Sequence, residues 1–247
     1  MKVRRAPSNP PNAMTLVEHL AELRKRLVIC VGAFVVTATV VWVLYPHVLR
    51  LLERPYCLSI PKGHNCSLVV MGPLDAFGIR LDLAGYGGLV LASPVILFQL
   101  WRFVTPGLKA HERRYAVAFT LSAIVLFIAG AYIAWLTFPH ALGFLHSVGG
   151  PGIVDLFTPS KYLTLIMALM AIFGISFEFP VVLVGLELAN VITPQQLGSW
   201  RRFAIVAIVI FSGVATPSSD PFSMLALALP MLAFYEISIL IGRIARR

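Results

Sequence analysis

One carboxylate lies deep inside an apolar stretch of the sequence. Glu178 is well within a long apolar run over 162–188, and Pro180 follows two residues later. A charge at the middle of a bilayer costs on the order of 3 kcal/mol even on lenient scales, so an ionisable residue there normally faces protein or a wet cavity. Glu178 is therefore predicted to mark a place where something polar docks or passes. The alternative is a protonated side chain that is bonded to a neighbouring helix.

Two further glutamates each lie among cations. Glu22 is part of the segment EHLAELRKR, and Glu112 is part of KAHERR. Two carboxylates on one surface suit a cationic ligand, and guanidinium groups can pair with carboxylates in a bidentate geometry. The alternatives are an i,i+4 ion pair between Glu22 and Arg26, and a solvated loop charge at Glu112 beside Arg113.

The composition indicates that these acids belong to a membrane protein. Of the 247 residues, 58% are hydrophobic and 13% are charged, which excludes a soluble domain of this size. The apolar runs predict six transmembrane helices, at about 27–45, 83–104, 115–138, 162–188, 203–215 and 222–241. The fifth run falls well short of the roughly 30 Å hydrocarbon core, and Pro230 interrupts the sixth. The last two helices are therefore predicted to be short.

A single membrane domain is predicted over 15–247. The basic, Pro- and Asn-rich tail at 1–14 is expected to be disordered. Thr15 starts an amphipathic helix that lies at the membrane surface and runs into the first span. The stretches 46–82 and 139–161 are predicted to be polar loops, the first of which ends in a short interfacial helix.

The distribution of basic residues predicts the orientation. Fifteen Lys and Arg residues fall on the side of the two termini and five on the opposite side, so both termini are predicted to be cytoplasmic. This bias accounts for the net charge of +9 without a nucleic-acid partner. Cys57 and Cys66 then lie outside, where a disulfide can persist, the alternative being two free thiols. No Cys or His spacing indicates a metal site.

Four motifs point to a known family. HLAELRKRL precedes the first span, SPVILFQLWRFVTPGLKAHERR leads into the third, FGISFEFPV is in the fourth, and TPSSDPFSM precedes the sixth. In this order and spacing they resemble the TatC family, the multispanning subunits of the twin-arginine protein translocase, over about residues 15–241.

The resemblance implies a fold, a location and a function. TatC-like proteins have six transmembrane helices in a concave, glove-like arrangement in the bacterial cytoplasmic (inner) membrane. They are receptors for signal peptides with consecutive arginines, and they require no cofactor. With TatA- and TatB-type single-span partners, in a hetero-oligomer with several TatC copies, they export folded proteins using the proton-motive force. Enzymatic activity is not expected.

The resemblance also implies residue roles. The residues that match the family's signal-peptide-binding surface are Glu22, Arg24, Gln99, Phe103, His111, Glu112 and Arg113. Glu178 matches the intramembrane glutamate that meets a partner helix, and Pro55 and Asp220 match outer-loop positions. The last outer turn departs from the family, since Met224 replaces a common Gln and no role is carried onto it.

Two other classes of function compete with this interpretation. A proton-coupled secondary transporter or channel would use Glu178 and Glu236 as a proton relay. The sequence has no internal repeat, which argues against the inverted-repeat transporters. An intramembrane enzyme is disfavoured because neither G-x-S-x-G nor H-E-x-x-H occurs.

Overall fold

The computed structural model describes residues 16–59, 72, 74–104, 116–149, 158–189, 191–218 and 220–245, so the predicted tail at 1–14 lies outside it. Within these ranges the chain forms helices and no strand, which confirms the all-helical class. In order the helices are α1 (Leu16–Val43), α2 (Tyr45–Ser59), α3 (Asp75–Val104), α4 (Ala116–Gly149), α5 (Pro159–Ser176), α6 (Phe179–Leu188), α7 (Pro194–Ser199), α8 (Arg201–Ala215) and α9 (Pro221–Ala245).

Five helical stretches of the described chain are long and apolar enough to cross a bilayer. They are His19–Val43, Asp75–Phe103, Val117–Val148, Pro159–Leu188 and Pro221–Ile244. α8 is also apolar but has only 15 residues. At about 1.5 Å per residue it is shorter than the roughly 30 Å hydrocarbon core, as predicted. The chain is therefore a multi-pass membrane protein.

The last helix is longer than predicted. α9 has 25 residues and includes Pro230 in its interior. A proline removes one backbone hydrogen bond, but packing of the helix on both sides of it can hold the helix together. Here Leu227 and Met231 are buried on either side of Pro230. The prediction that both final helices are short is thus wrong for α9.

Both segments that are predicted to be polar loops are largely helical. α2 and the first turns of α3 occupy much of 46–82, and α4 continues well into 139–161. Pro46 does not prevent α2, because an N–H in the first turn of a helix has no intrahelical partner. α3 begins at Asp75, whose side chain accepts a hydrogen bond from the Gly72 backbone N–H at 2.7 Å.

The predicted fourth span lies within one apolar helical stretch, Pro159–Leu188, which a short turn divides into α5 and α6. α5 ends at Ser176 and α6 begins at Phe179, so Glu178 lies in the break between them. Pro180 has no N–H to donate to the Ser176 carbonyl. The Glu178 N–H donates to the Ile175 carbonyl oxygen at 3.1 Å. This bond spans three residues rather than four, so it tightens the last turn of α5.

α5 is the central helix of the packing, lying against α3 and α4. Its fully buried residues include Tyr162, Leu163, Ile166, Leu169 and Phe173. Two glycines let α4 and α5 approach closely. A Cβ atom on Gly130 would lie 2.6 Å from the Phe173 carbonyl oxygen, and one on Gly174 would lie 2.8 Å from the Phe127 ring. Small residues are the usual means of helix packing in lipid.

α1 packs mainly against α3, and one glycine determines how closely. A Cβ atom on Gly88 would lie 2.7 Å from Ala38 Cα, so no larger residue fits without moving the backbone. At the same crossing the Thr37 hydroxyl donates to the Gly88 carbonyl oxygen at 2.7 Å. α1 is a single uninterrupted helix, so this contact also positions its first turns, which contain Glu22.

We predict that Gly88→Ala destabilises the protein because the added methyl group overlaps α1, a type of overpacking that costs about 1–3 kcal/mol. Gly85→Ala is the matched control on the same helix, since a Cβ atom there meets nothing within 4 Å. The measurement is the melting temperature of the detergent-solubilised chain. Gly88→Ala should melt below Gly85→Ala and wild type, and equal melting of the two variants would contradict the close α1–α3 crossing.

Candidate functional site

The first turns of α1 and the last turn of α3 form a polar cluster, here called the Glu22 cluster: His19, Glu22, Arg26, Gln99 and Phe103. Arg26 donates to Glu22 Oε1 from Nη2 and from Nε, the latter at 3.2 Å. Arg26 Nη1 also donates to Gln99 Oε1 on α3 at 3.3 Å. The i,i+4 ion pair considered from the sequence is therefore present, and a third residue from a second helix joins it.

Only one of the two carboxylate oxygens of Glu22 accepts hydrogen bonds from the described residues. Oε1 accepts both bonds from Arg26, while Oε2 is shielded from solvent and has no hydrogen-bond partner within the described part of the chain. A carboxylate can accept about four hydrogen bonds, and a buried acceptor without a donor is unfavourable. Glu22 therefore has acceptor capacity for a further donor such as a guanidinium group.

An aromatic stack borders the carboxylate. The rings of His19 and Phe103 lie 4.4 Å apart between centroids and nearly parallel. Planar π-faces of this kind can stack with guanidinium groups. The structure thus places Phe103 beside the cluster as predicted, whereas the sequence reasoning missed His19. Its available signal was its i,i+3 spacing from Glu22, which puts both on one face of α1.

The other predicted members of this surface differ in position. Arg24 is exposed on α1 and makes no described contact with Glu22. His111, Glu112 and Arg113 lie between α3 and α4, outside the described residues. Their membership of the site stays a prediction.

The intramembrane acid is at the α5–α6 break. Glu178 is partly buried, and its Oε1 has no hydrogen-bond partner among the described residues. A second acid in the same span, Glu187 in α6, was not singled out from the sequence. It is almost fully buried, and its carboxylate packs directly against Gly242 of α9. Glu187 therefore lies between helices, whereas Glu178 lies in the short turn between α5 and α6.

Pro55 explains an unusual set of hydrogen bonds at the outer end of the predicted topology. It lies inside α2 and cannot donate to the Leu51 carbonyl oxygen, which accepts from Trp135 Nε1 at 3.3 Å instead. The next two backbone groups four residues apart in α2 are the Leu52 carbonyl and the Tyr56 N–H. The Tyr162 hydroxyl accepts from the Tyr56 N–H at 3.1 Å and donates to the Leu52 carbonyl oxygen at 2.6 Å. Side chains of α4 and α5 thus satisfy the backbone groups that the proline frees.

Asp220 has a capping role. Its Oδ1 accepts the Ser223 backbone N–H at 2.7 Å, and its Oδ2 accepts from the Ser218 hydroxyl. This is the arrangement of an N-cap residue, and it starts α9. Asp220 is 1% exposed, so it organises the α8–α9 turn from inside the protein. The Cys57–Cys66 disulfide stays a prediction, since Cys57 is in α2 and Cys66 lies outside the described residues.

Comparison with known proteins gives one consistent result. The family model described as "Sec-independent protein translocase protein (TatC)" matches residues 18–230. The chain is 42% identical to the Sec-independent protein translocase protein TatC of Frankia casuarinae, over 99% of this chain and 71% of that protein. It is 37% identical to the TatC protein of Aquifex aeolicus, over 95% of this chain and 97% of that protein.

Solved structures agree with the sequence comparison. A crystal structure of the twin arginine translocase receptor TatC matches with a TM-score of 0.75 and 35% identity, covering 93% of this chain and all of that one. A second, of TatC in DDM, matches with a TM-score of 0.77 and 36% identity, covering 91% of this chain and 99% of that one. The resemblance that the four motifs carry is therefore confirmed.

We predict that Tyr162→Phe destabilises the protein, because it removes both hydrogen bonds to α2 and leaves a buried N–H and C=O beside an apolar ring. An unsatisfied buried group costs about 1–3 kcal/mol. Tyr132→Phe is the control, since this tyrosine is exposed on α4. Thermal unfolding in detergent should show a lower melting temperature for Tyr162→Phe alone. If both variants melt like wild type, Tyr162 does not compensate for Pro55.

Proposed function

The chain belongs to the TatC family of Sec-independent protein translocase subunits, and we propose that its Glu22 cluster binds the consecutive arginines of export signal peptides. The observation that carries the proposal is the Glu22 carboxylate. One oxygen is held by Arg26, and the other has no partner among the described residues. The ligand that best uses such a group is a cation with several fixed donors.

Arginine fits this requirement better than lysine. A guanidinium group is always protonated and presents five N–H donors in a planar fork. The His19–Phe103 stack adds aromatic surface next to the carboxylate, on which such a plane can rest. A lysine ammonium is a compact, strongly hydrated charge and gains less from both features.

A pair of arginines needs a second acceptor, and Glu112 is proposed to supply it. Glu112 follows α3 in the sequence, and the end of α3 carries Gln99 and Phe103 of the Glu22 cluster. Arg24, His111 and Arg113 are proposed to shape the same surface. With both termini in the cytoplasm, this surface faces the compartment in which the export cargo is made.

Glu178 is proposed to act after peptide binding. It lies in the short turn between α5 and α6 within a span, and one of its oxygens has no hydrogen-bond partner among the described residues. A polar group on a TatA- or TatB-type single-span helix is its proposed partner. Export of folded cargo then proceeds in a hetero-oligomer with several copies of this chain, driven by the proton-motive force. The chain contributes binding and assembly rather than catalysis.

The competing proton-relay function is less well supported. It requires Glu178 and Glu236 to exchange protons, but the Glu236 side chain is about half exposed and pairs with Arg201 at 2.7 Å. An ion pair between two side chains that are each about half exposed is typical of a surface position. Transport of a small solute by the isolated chain in liposomes would favour that alternative.

We predict that Glu22→Ala or Glu112→Ala weakens crosslinking to a twin-arginine peptide, while the chain still inserts into the membrane. The reason is the loss of a charge-assisted acceptor for a guanidinium group. Glu236→Ala is the control, because it also removes an acid that pairs with an arginine. The control should crosslink like wild type. Unchanged crosslinking in the Glu22→Ala, Glu112→Ala double variant would remove the recognition assignment.

We predict that substitution of Glu178 leaves peptide binding intact but impairs a later step, partner assembly or export. Glu178→Ala should bind the twin-arginine peptide like wild type, because the Glu22 cluster is on other helices. It should lose co-purification with a single-span partner, or lose export. Glu178→Gln keeps the shape and a hydrogen-bond acceptor but cannot carry a charge, so comparing the two variants shows whether charge or hydrogen bonding is needed. Export by Glu178→Ala at the wild-type rate would count against the assignment.

A further inference from the structure

Arg26 occupies the position that a ligand arginine is expected to take. We propose that Arg26 is a resident guanidinium that holds Glu22 in the unliganded receptor and shifts to Gln99 when a peptide arginine binds to Glu22. This inference rests on the proposed function. It assigns a role in setting the affinity for the peptide to a residue that otherwise belongs to a local ion pair.

The contacts of Arg26 support such an exchange. Nε and Nη2 both donate to a single oxygen of Glu22, so the fork of the guanidinium is not matched to both carboxylate oxygens. The bidentate, two-oxygen geometry is the stronger arrangement, and here it is not used. A peptide arginine that reached both Oε1 and Oε2 would therefore form a better pair with Glu22 than Arg26 does.

Gln99 can accept a hydrogen bond from the Arg26 side chain after Arg26 is displaced from Glu22. Arg26 is 12% exposed and stays protonated, so leaving it without an acceptor would be strongly unfavourable. Gln99 Oε1 already accepts from Nη1 at 3.3 Å. Because the amide oxygen is neutral, its bond with Arg26 is weaker than that of a carboxylate. The exchange therefore has a cost, and only a ligand that outcompetes Arg26 at Glu22 can meet it.

The cost of this exchange falls on every ligand that displaces Arg26. A competitor inside the site lowers the affinity of arginine and lysine ligands by the same factor, whereas specificity is a difference of affinities. The preference for arginine comes from the fork and the stacking of the ligand itself. Removing Arg26 should therefore tighten the binding of both kinds of peptide equally.

The test measures binding of two fluorescein-labelled peptides to the full detergent-solubilised chain by fluorescence polarisation. One peptide has an Arg-Arg pair before an apolar segment, and the other has Lys-Lys in its place. Arg26→Gln should bind the Arg-Arg peptide about two- to five-fold more tightly, the range of a partly exposed ion pair. Its gain for the Lys-Lys peptide should be the same.

Lys25→Gln is the matched control, since it removes the same charge from the adjacent, exposed position. It should tighten binding less than Arg26→Gln does, because Glu22 keeps Arg26 as its partner. Gln99→Glu provides a second variant that retains Arg26 but offers it a stronger alternative acceptor. It should also tighten binding of the Arg-Arg peptide, and this gain should vanish when Arg26→Gln is already present.

The outcomes separate this inference from the proposed function. If wild type binds the Arg-Arg peptide through Glu22 but Arg26→Gln binds it no more tightly than Lys25→Gln does, the resident role of Arg26 is overturned and the receptor function stands. A Gln99→Glu gain that is absent, or that persists without Arg26, also overturns it. If the Arg-Arg peptide does not bind wild type, the proposed function itself fails.

Discussion

The contact between α1 and α3 is the constraint on which the candidate site depends. Gly88 allows the two backbones to approach, and the Thr37 hydroxyl bonds across the crossing. Because α1 is one uninterrupted helix from the Glu22 cluster to this crossing, the contact sets the register of the two helix ends. That register brings Arg26 to Gln99 and His19 to Phe103.

Polar groups in lipid must be satisfied, and most of the buried ones described here have a partner. Pro55 frees backbone groups, and side chains from α4 and α5 satisfy them; Asp220 satisfies the start of α9. Buried oxygens of Glu22, Glu178 and Ser212, in contrast, have no hydrogen-bond partner within the described ranges, and the first two belong to acids. Those two acids are the ones to which the family resemblance assigns a partner from outside the chain.

Residue pattern alone predicts part of this structure, and the failures have physical causes. Apolar runs predict the helical class, and i,i+4 spacing predicts the Glu22–Arg26 pair, since both are local properties of a helix. The prolines after residue 45 predict a loop. α2 forms there nevertheless, because side chains of α4 and α5 supply the backbone hydrogen bonds that Pro55 removes. The contacts of Gln99 and the stacking of His19 depend on the α1–α3 crossing, which is tertiary and leaves no local signal. The role of Gln99 was accessible only through the family resemblance.

The central claim is that Glu22, held at the end of the α1–α3 contact, receives an arginine from an export signal peptide. Its most direct test is an experimental structure of the full chain with a bound twin-arginine peptide. The account predicts a peptide guanidinium nitrogen within about 3.2 Å of a Glu22 carboxylate oxygen. It would be contradicted by a complex in which both peptide arginines bind elsewhere while Glu22 keeps Arg26 as its partner.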